Sequence, residues 1–256
     1  MTGSVTVGAH GQAAYARRLD WGLAGARALV ADARPGDVAV VVDVLSFTTT
    51  LTVAVEQGVA VHPYPWRSEQ AAAYAAERAA ILAVGRREGL ATQAVSLSPA
   101  SFLAASDVDR VVLPSPNGST IAFALADAGV TVVGASLRNA AAVAAWLRDR
   151  RASTVSVVAA GERWPDGQLR PAVEDLWGAG AVLAALGGTG VSPEAEAAEA
   201  AFRAVEQQLS GALPQCASGR ELVEAGFAAD VDLAAAHDVS EVVPVLYGDA
   251  FVDGSS

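Results

Sequence analysis

The chain has 256 residues, 52% of them hydrophobic, and a formal net charge of −11. That is enough for one large α/β domain or two small ones around a substantial core, and the acidic balance argues against a nucleic-acid partner, which needs a basic face. All 17 basic residues are arginine, so a Walker-type phosphate loop, a Schiff-base mechanism and a pyridoxal-phosphate site, each requiring a lysine amine, are excluded.

No apolar run approaches the roughly 20 residues that span a bilayer, and the N-terminus lacks a charged segment followed by an apolar one. The expectation is a soluble, cytoplasmic protein with no membrane partner. The single cysteine, Cys216, rules out an internal disulfide framework or a thiolate-rich metal site and reads as a small hydrophobe. Homo-oligomerisation is left open by the sequence.

Along the chain, β-branched apolar runs of strand length occur at Val38 to Val42, Val59 to Val61, Arg110 to Leu113, Val130 to Val133 and Thr154 to Val158. Alanine-rich stretches with helical spacing alternate with them, at Arg67 to Ala83, Thr120 to Ala128, Asn139 to Arg150 and Val173 to Leu186. This alternation predicts parallel strands joined by helical crossovers: an α/β fold, a three-layer α/β/α sandwich with a mainly parallel sheet. The chain reads as a single domain over 1–256 with an acidic helical insertion at 187–213. There Ser192 is the predicted N-cap and Pro193 the first helical residue. Two more helices and a final strand near Val242 to Leu246 are expected to follow.

Ligand sites in open α/β sheets gather beyond the carboxyl ends of the strands. After the first run stand Asp43, Ser46, Thr48, Thr49 and Thr50; after Leu113 comes "PSPNGST" with Asn117, Gly118, Ser119 and Thr120. Beyond Val133 lies "GASLRNA" with Arg138 and Asn139, and beyond Val158 a loop runs to a helix that opens with Glu174 and Asp175. Both of the chain's asparagines thus fall at loop-to-helix junctions, where capping alone would account for them.

Carboxylates without lysine or histidine partners suit Mg²⁺, which takes one or two carboxylates plus waters and phosphate oxygens. Asp43, Glu174 and Asp175 are the expected metal ligands. Arg138 and the helix N-terminus at Gly118 to Thr120 are expected to hold phosphate oxygens, with Ser46, Thr48 and Asn139 beside them. The implied reaction is metal-assisted phosphoryl transfer to water, with Asp43 and Arg138 as catalytic residues. Other templates fit poorly. The second carboxylate of an Asp-x-Asp phosphatase would stand where Leu45 is, no Gly-x-Ser-x-Gly elbow occurs, and "GAGAVL" lacks a dinucleotide fingerprint and reads as helix interior. The histidines His10, His62 and His237 have no metal-ligand spacing, and Trp21, Trp66 and Trp146 read as packing.

In chain order, "VVVDVLSFTTTL", "SPNGSTIAFAL", "GASLRNA", "AAGERWPDGQLRPAVEDLWGAGAV", "SGRELVEAGF" and "VPVLYGDAF" resemble the 2-phosphosulfolactate phosphatase (ComB-like) family from about Val38 to Phe251. The resemblance implies a Mg²⁺-dependent phosphoric monoester hydrolase that converts 2-phosphosulfolactate, a small phosphorylated and sulfonated acid, to sulfolactate in coenzyme M biosynthesis. It also implies acidic metal-site roles for Asp43, Glu174 and Asp175. This chain has Ser46 and Phe47 where the family pattern has arginine and alanine, with Arg163 and Arg170 as candidate replacements. The departure motivates an alternative: a non-catalytic small-anion binding or regulatory protein on the same fold. A purely structural subunit is disfavoured by the polar residues that recur after four strands.

Overall fold

The computed structural model describes residues 11–65 and 69–255; Trp66 and His10 lie outside the described residues. In chain order the strands are β1 (Arg17–Trp21), β2 (Val38–Val42), β3 (Ala60–Tyr64), β4 (Ile81–Leu82), β5 (Arg110–Pro114), β6 (Thr131–Ala135), β7 (Val155–Ala159), β8 (Glu162–Arg163), β9 (Leu169–Arg170), β10 (Pro244–Tyr247) and β11 (Ala250–Asp253). The helices are α1 (Gly22–Leu29), α2 (Phe47–Glu56), α3 (Glu69–Glu77), α4 (Arg86–Thr92), α5 (Pro99–Ala104), α6 (Gly118–Leu125), α7 (Ala140–Asp149), α8 (Val173–Leu186), α9 (Pro193–Arg203), α10 (Leu209–Ala212), α11 (Ala217–Glu224) and α12 (Ala228–Ala235).

Among the described residues the main sheet has nine strands in the order β1-β7-β2-β6-β10-β11-β3-β5-β4, and β8 and β9 form a separate hairpin. It is mainly parallel, with helices on both faces: the expected three-layer architecture. β2 shows why. All five of its residues are buried, and they divide by the strand's period of two. Val38, Val40 and Val42 pack in one hydrophobic cluster with residues of α7, α8 and α9; Ala39 and Val41 pack in the other with residues of α1, α2 and α6. A strand covered on both faces needs a continuous apolar run, and "VAVVV" supplies one. Close packing follows on the α8 side, where a Cβ on Gly178 would stand 2.6 Å from Val44 Cγ2.

Several predicted boundaries hold to within a residue or two; α8 spans Val173–Leu186 as read, and Ser192 caps α9 by accepting from the Ala195 N–H. The region at 67–83 differs. Its helix ends at Glu77 and is followed by the edge strand β4. The two residues Ile81 and Leu82 pair with Val111 and Val112, too short a run for alternation to reveal against an alanine-rich background.

The sheet's middle determines where the site lies. β1, β7, β2 and β6 run parallel, as do β3, β5 and β4, but three antiparallel steps separate the two blocks. The blocks therefore point in opposite directions. Their connections to the β10–β11 hairpin are single pairs, Val245 with Val133 and Phe251 with Val61, against five pairs between β2 and β6. The segments that follow β2 and β5 nevertheless meet: the Gly118 N–H donates to Asp43 at 2.8 Å.

Candidate active site

Asp43, the residue after β2, is 5% exposed and caps two helices at once. Its Oδ1 accepts from the Phe47 N–H of α2 at 3.2 Å and its Oδ2 from the Gly118 N–H of α6. Both amides belong to first turns, whose N–H groups lack intrahelical partners and carry the positive end of the helix dipole. The approach is close: a Cβ at position 118 would stand 2.7 Å from Asp43 Cβ. Burial nevertheless dominates, lifting the Asp43 carboxyl to about 6 against these two bonds and the attraction of Arg86.

Two further elements bring acids to Asp43. The hairpin β8–β9 projects from the end of β7 through Gly161, whose φ of +67° suits glycine. Glu162 on it accepts from Asn117 Nδ2 at 2.9 Å. Its carboxyl is pushed up to about 7, by burial first and then by Asp43, opposed by the Asn117 bond and by Arg170. From α8, Glu174 is 2% exposed and adds to the negative field on Asp43, Glu162 and Asp175. It also faces Cys216, whose thiol is raised to about 12 chiefly by burial. Asp175 turns the other way: Oδ1 accepts from the Val44 N–H at 2.7 Å and Oδ2 from the Gly161 N–H at 2.8 Å. It ties the loops after β2 and β7 together, and burial holds it well above the usual carboxylate range.

Asp43 and Glu162, but not Glu174 or Asp175, line a pair of adjoining cavities. A compartment of about 120 Å³ is lined by Asp43, Ser46, Arg86, Ser115, Asn117 and Glu162 among others. One of about 290 Å³ is bordered by Trp21, Arg27, Asn117, Glu162, Arg163 and Leu169. Asn117 and Glu162 line both. Arg86 is the one cation among the described residues of the smaller compartment, and its Nη2 donates to Ser46 Oγ at 2.6 Å.

Other expected site residues are committed elsewhere. Thr48 is fully buried, its hydroxyl donating to the Asp43 carbonyl at 2.8 Å and accepting from the Asp43 N–H at 2.9 Å. Thr49 and Thr50 donate to the carbonyls of Val44 and Leu97. The single Ser119 hydroxyl proton is shared between the Tyr64 and Leu113 carbonyls, each 2.9 Å away, and Thr120 donates to that of Ser115. The hydroxyls after β2 and β5 thus satisfy backbone groups stranded by sharp strand-to-helix turns. The N-terminus of α6 is likewise occupied, by Asp43 at Gly118 and by Ser115 Oγ at Ser119, 3.4 Å away, so its dipole serves a carboxylate rather than a bound anion.

Arg138 lies away from both cavities. Its Nη1 donates to the Leu233 carbonyl at 3.0 Å and its Nη2 lies 3.5 Å from Glu56 Oε2. Asn139 closes a capping box with Ser136 and donates to the Val242 carbonyl. Burial explains the placement: Arg138 is 9% exposed beneath α12, so its charge needs partners inside the protein.

Arg86 and Glu162 were not singled out from sequence. Glu162 follows β7 by three residues, so the rule that selected Asp43 reaches it. Arg86 follows β4, and the strand was hidden inside a predicted helix.

Among the described residues no three ligating side chains form a ready-made metal cluster. Mg²⁺ asks for less, since waters and substrate oxygens complete its shell. Two carboxylates beside one cavity, both raised first by burial and then by neighbouring carboxylate charge, Asp43 by Glu174 and Glu162 by Asp43, are a donor set that a divalent cation would relieve.

Residues 26–249 match the model of the family described as 2-phosphosulpholactate phosphatase. The chain is 34% identical over 218 residues to "Probable 2-phosphosulfolactate phosphatase" of Thermus thermophilus, covering 83% of this chain and 89% of that one. It is 33% identical to the like-named protein of Deinococcus radiodurans, over 85% of this chain and 91% of that one. For the Gloeobacter violaceus protein of the same name the identity is 32%, over 84% and 90%. The chain belongs to the 2-phosphosulfolactate phosphatase family.

Proposed function

We propose that this member of the family hydrolyses 2-phosphosulfolactate, or a closely related small phosphorylated acid, to sulfolactate and phosphate with Mg²⁺ as cofactor. One observation carries the reading: Asp43 and Glu162 border a compartment of about 120 Å³ that shares Asn117 and Glu162 with a larger one of about 290 Å³. A buried excess of carboxylate charge attracts a cation, and a cation beside a guanidinium attracts a phosphate.

Asp43 would hold the metal, with Glu162 facing it and Glu174 adding charge from α8. When bound, Mg²⁺ supplies Lewis-acid stabilisation of the phosphoryl oxygens. Glu162, held by Asn117 where the two cavities share lining, is placed to exchange a proton there. Asn117 Nδ2 orients that carboxyl, and the larger compartment, with Arg27 and Arg163 on its border, accommodates the acid portion of the substrate. No helix among the described residues is long and apolar enough to cross a membrane.

The test is phosphate release from synthetic 2-phosphosulfolactate with Mg²⁺ and with EDTA, alongside a melting curve. Turnover that depends on Mg²⁺, with a rise in Tm on adding Mg²⁺ that Asp43→Asn removes, is the expected result. Turnover unaffected by EDTA would end the metal assignment. Tight binding of the substrate without phosphate release would favour the alternative, a non-catalytic anion-binding protein, which the serine at position 46 motivates.

A further inference from the structure

Arg86 opens α4 at the far edge of the sheet, yet its head group reaches the small compartment. It is drawn three ways. Nη2 donates to Ser46 Oγ at 2.6 Å. Asp43 and Glu162 attract the guanidinium toward the cavity. On the other side, Nε lies 3.6 Å from Oδ2 of Asp230, a side chain of α12 that is 2% exposed. That last pair is unusual: Nε and Oδ2 are both buried, and neither has a hydrogen-bond partner. They attract as ions while short of a bond, a costly arrangement for two buried polar atoms. Asp230 is itself anchored, its Oδ1 accepting from Ser98 Oγ at 2.5 Å and from the Ala100 N–H at 3.4 Å.

An arginine facing two carboxylates across a small cavity would ordinarily close onto them as a bidentate pair. A fixed third carboxylate behind it opposes that closure and keeps the fork available to another anion. Because Ser46 Oγ accepts from Arg86, its own proton is left to be donated elsewhere, and the side chain lines the cavity.

We propose that Arg86 is the phosphate-binding cation of this site, acting with the Ser46 hydroxyl, and that Asp230 is a positioning residue that holds the guanidinium open for the phosphate. This rests on the phosphomonoester reading above and identifies the group that recognises the phosphate. It also accounts for the serine at position 46: the guanidinium enters from β4 and α4 instead of from the turn after β2.

The experiment is calorimetric titration of the full chain with inorganic phosphate at saturating Mg²⁺, paired with kcat and KM for the best phosphomonoester, on Arg86→Ala, Arg86→Gln, Asp230→Asn and the Arg86→Ala/Asp230→Asn double variant. Circular dichroism and melting curves show which variants fold, Arg86→Gln standing in should Arg86→Ala fail to. Loss of a charged hydrogen-bond donor predicts phosphate affinity about 10- to 100-fold weaker in either Arg86 variant. Asp230→Asn should weaken phosphate binding several-fold and raise KM in proportion, yet add nothing in the Arg86→Ala background, because its whole effect passes through Arg86. Undiminished phosphate binding by a folded Arg86 variant overturns the proposal, as does failure of the wild-type chain to bind phosphate. An equal Asp230→Asn effect in both backgrounds overturns the positioning role. Wild-type phosphate binding that Arg86 variants lose, without turnover of any phosphomonoester, would uphold the clamp and refute the hydrolase. Turnover that Arg86 variants leave unaltered would do the reverse.

Discussion

The turns that follow β2 and β6, neighbours in the sheet, look alike in sequence and behave differently. "DVLSFTTT" and "SLRNA" both follow five-residue parallel strands and both lead into a helix through hydroxyls and a charged group. After β2, the Thr48 and Thr49 hydroxyls bind the backbone of the turn itself and leave Asp43 and Ser46 facing a cavity. After β6, Ser136 and Asn139 satisfy each other, and Arg138 is consumed by Glu56 and Leu233. The difference lies above the strand ends. The turn after β2 is roofed by the first residues of α6 and the β8–β9 hairpin, which leave space; the turn after β6 is roofed by α12 and the segment before β10, which fill it. A polar residue beyond a strand marks a candidate, and what packs over it decides whether it meets solvent or substrate.

The largest test of this contrast is Asp43→Asn. Loss of the carboxylate proposed to hold the metal should remove several kcal/mol of transition-state stabilisation, so kcat should fall by about three orders of magnitude while circular dichroism stays native. Near-wild-type phosphate release at saturating Mg²⁺ would place the reaction elsewhere.

Glu162→Gln separates the cavity's electrostatics from its shape. Its carboxyl is raised to about 7, so the folded state binds this proton more tightly than the unfolded chain does. The associated stability is fully present below the ordinary glutamate range near 4 and is lost as pH rises through about 7. The wild-type Tm in metal-free buffer should therefore decline across that window. Glu162→Gln should flatten the decline and leave the protein about 1 to 3 kcal/mol more stable than wild type near pH 8. Parallel melting curves for the two proteins would show that Glu162 is already ionised in the fold.

Arg138→Ala has the smallest expected effect on rate. Turnover should stay within about threefold, because neither of its partners, Glu56 and Leu233, lines either cavity, while stability falls by about 1 to 3 kcal/mol from the lost carbonyl bond and the stranded Glu56. A large drop in kcat/KM with unchanged Tm would return Arg138 to the site and erase the contrast between the two turns.

Local pattern carried much of this. The valine run of β2, the carboxylate that ends it, the exact span of helical spacing in α8 and the Ser192–Pro193 start of α9 were legible because strand and helix periodicities and capping chemistry act within a few residues. Family membership was legible too, in six segments in order. Tertiary structure decided the rest. The bond from Gly118 to Asp43 joins residues 75 apart in the chain and that from Arg86 to Ser46 joins residues 40 apart. Both join segments that follow strands of the two oppositely directed blocks. Which hydroxyls are spent on backbone, which arginine is buried against Glu56 and which one reaches the cavity depend on burial and on long-range partners. No periodicity within the chain encodes these, because the free energy that selects them arises only when distant elements exclude water together.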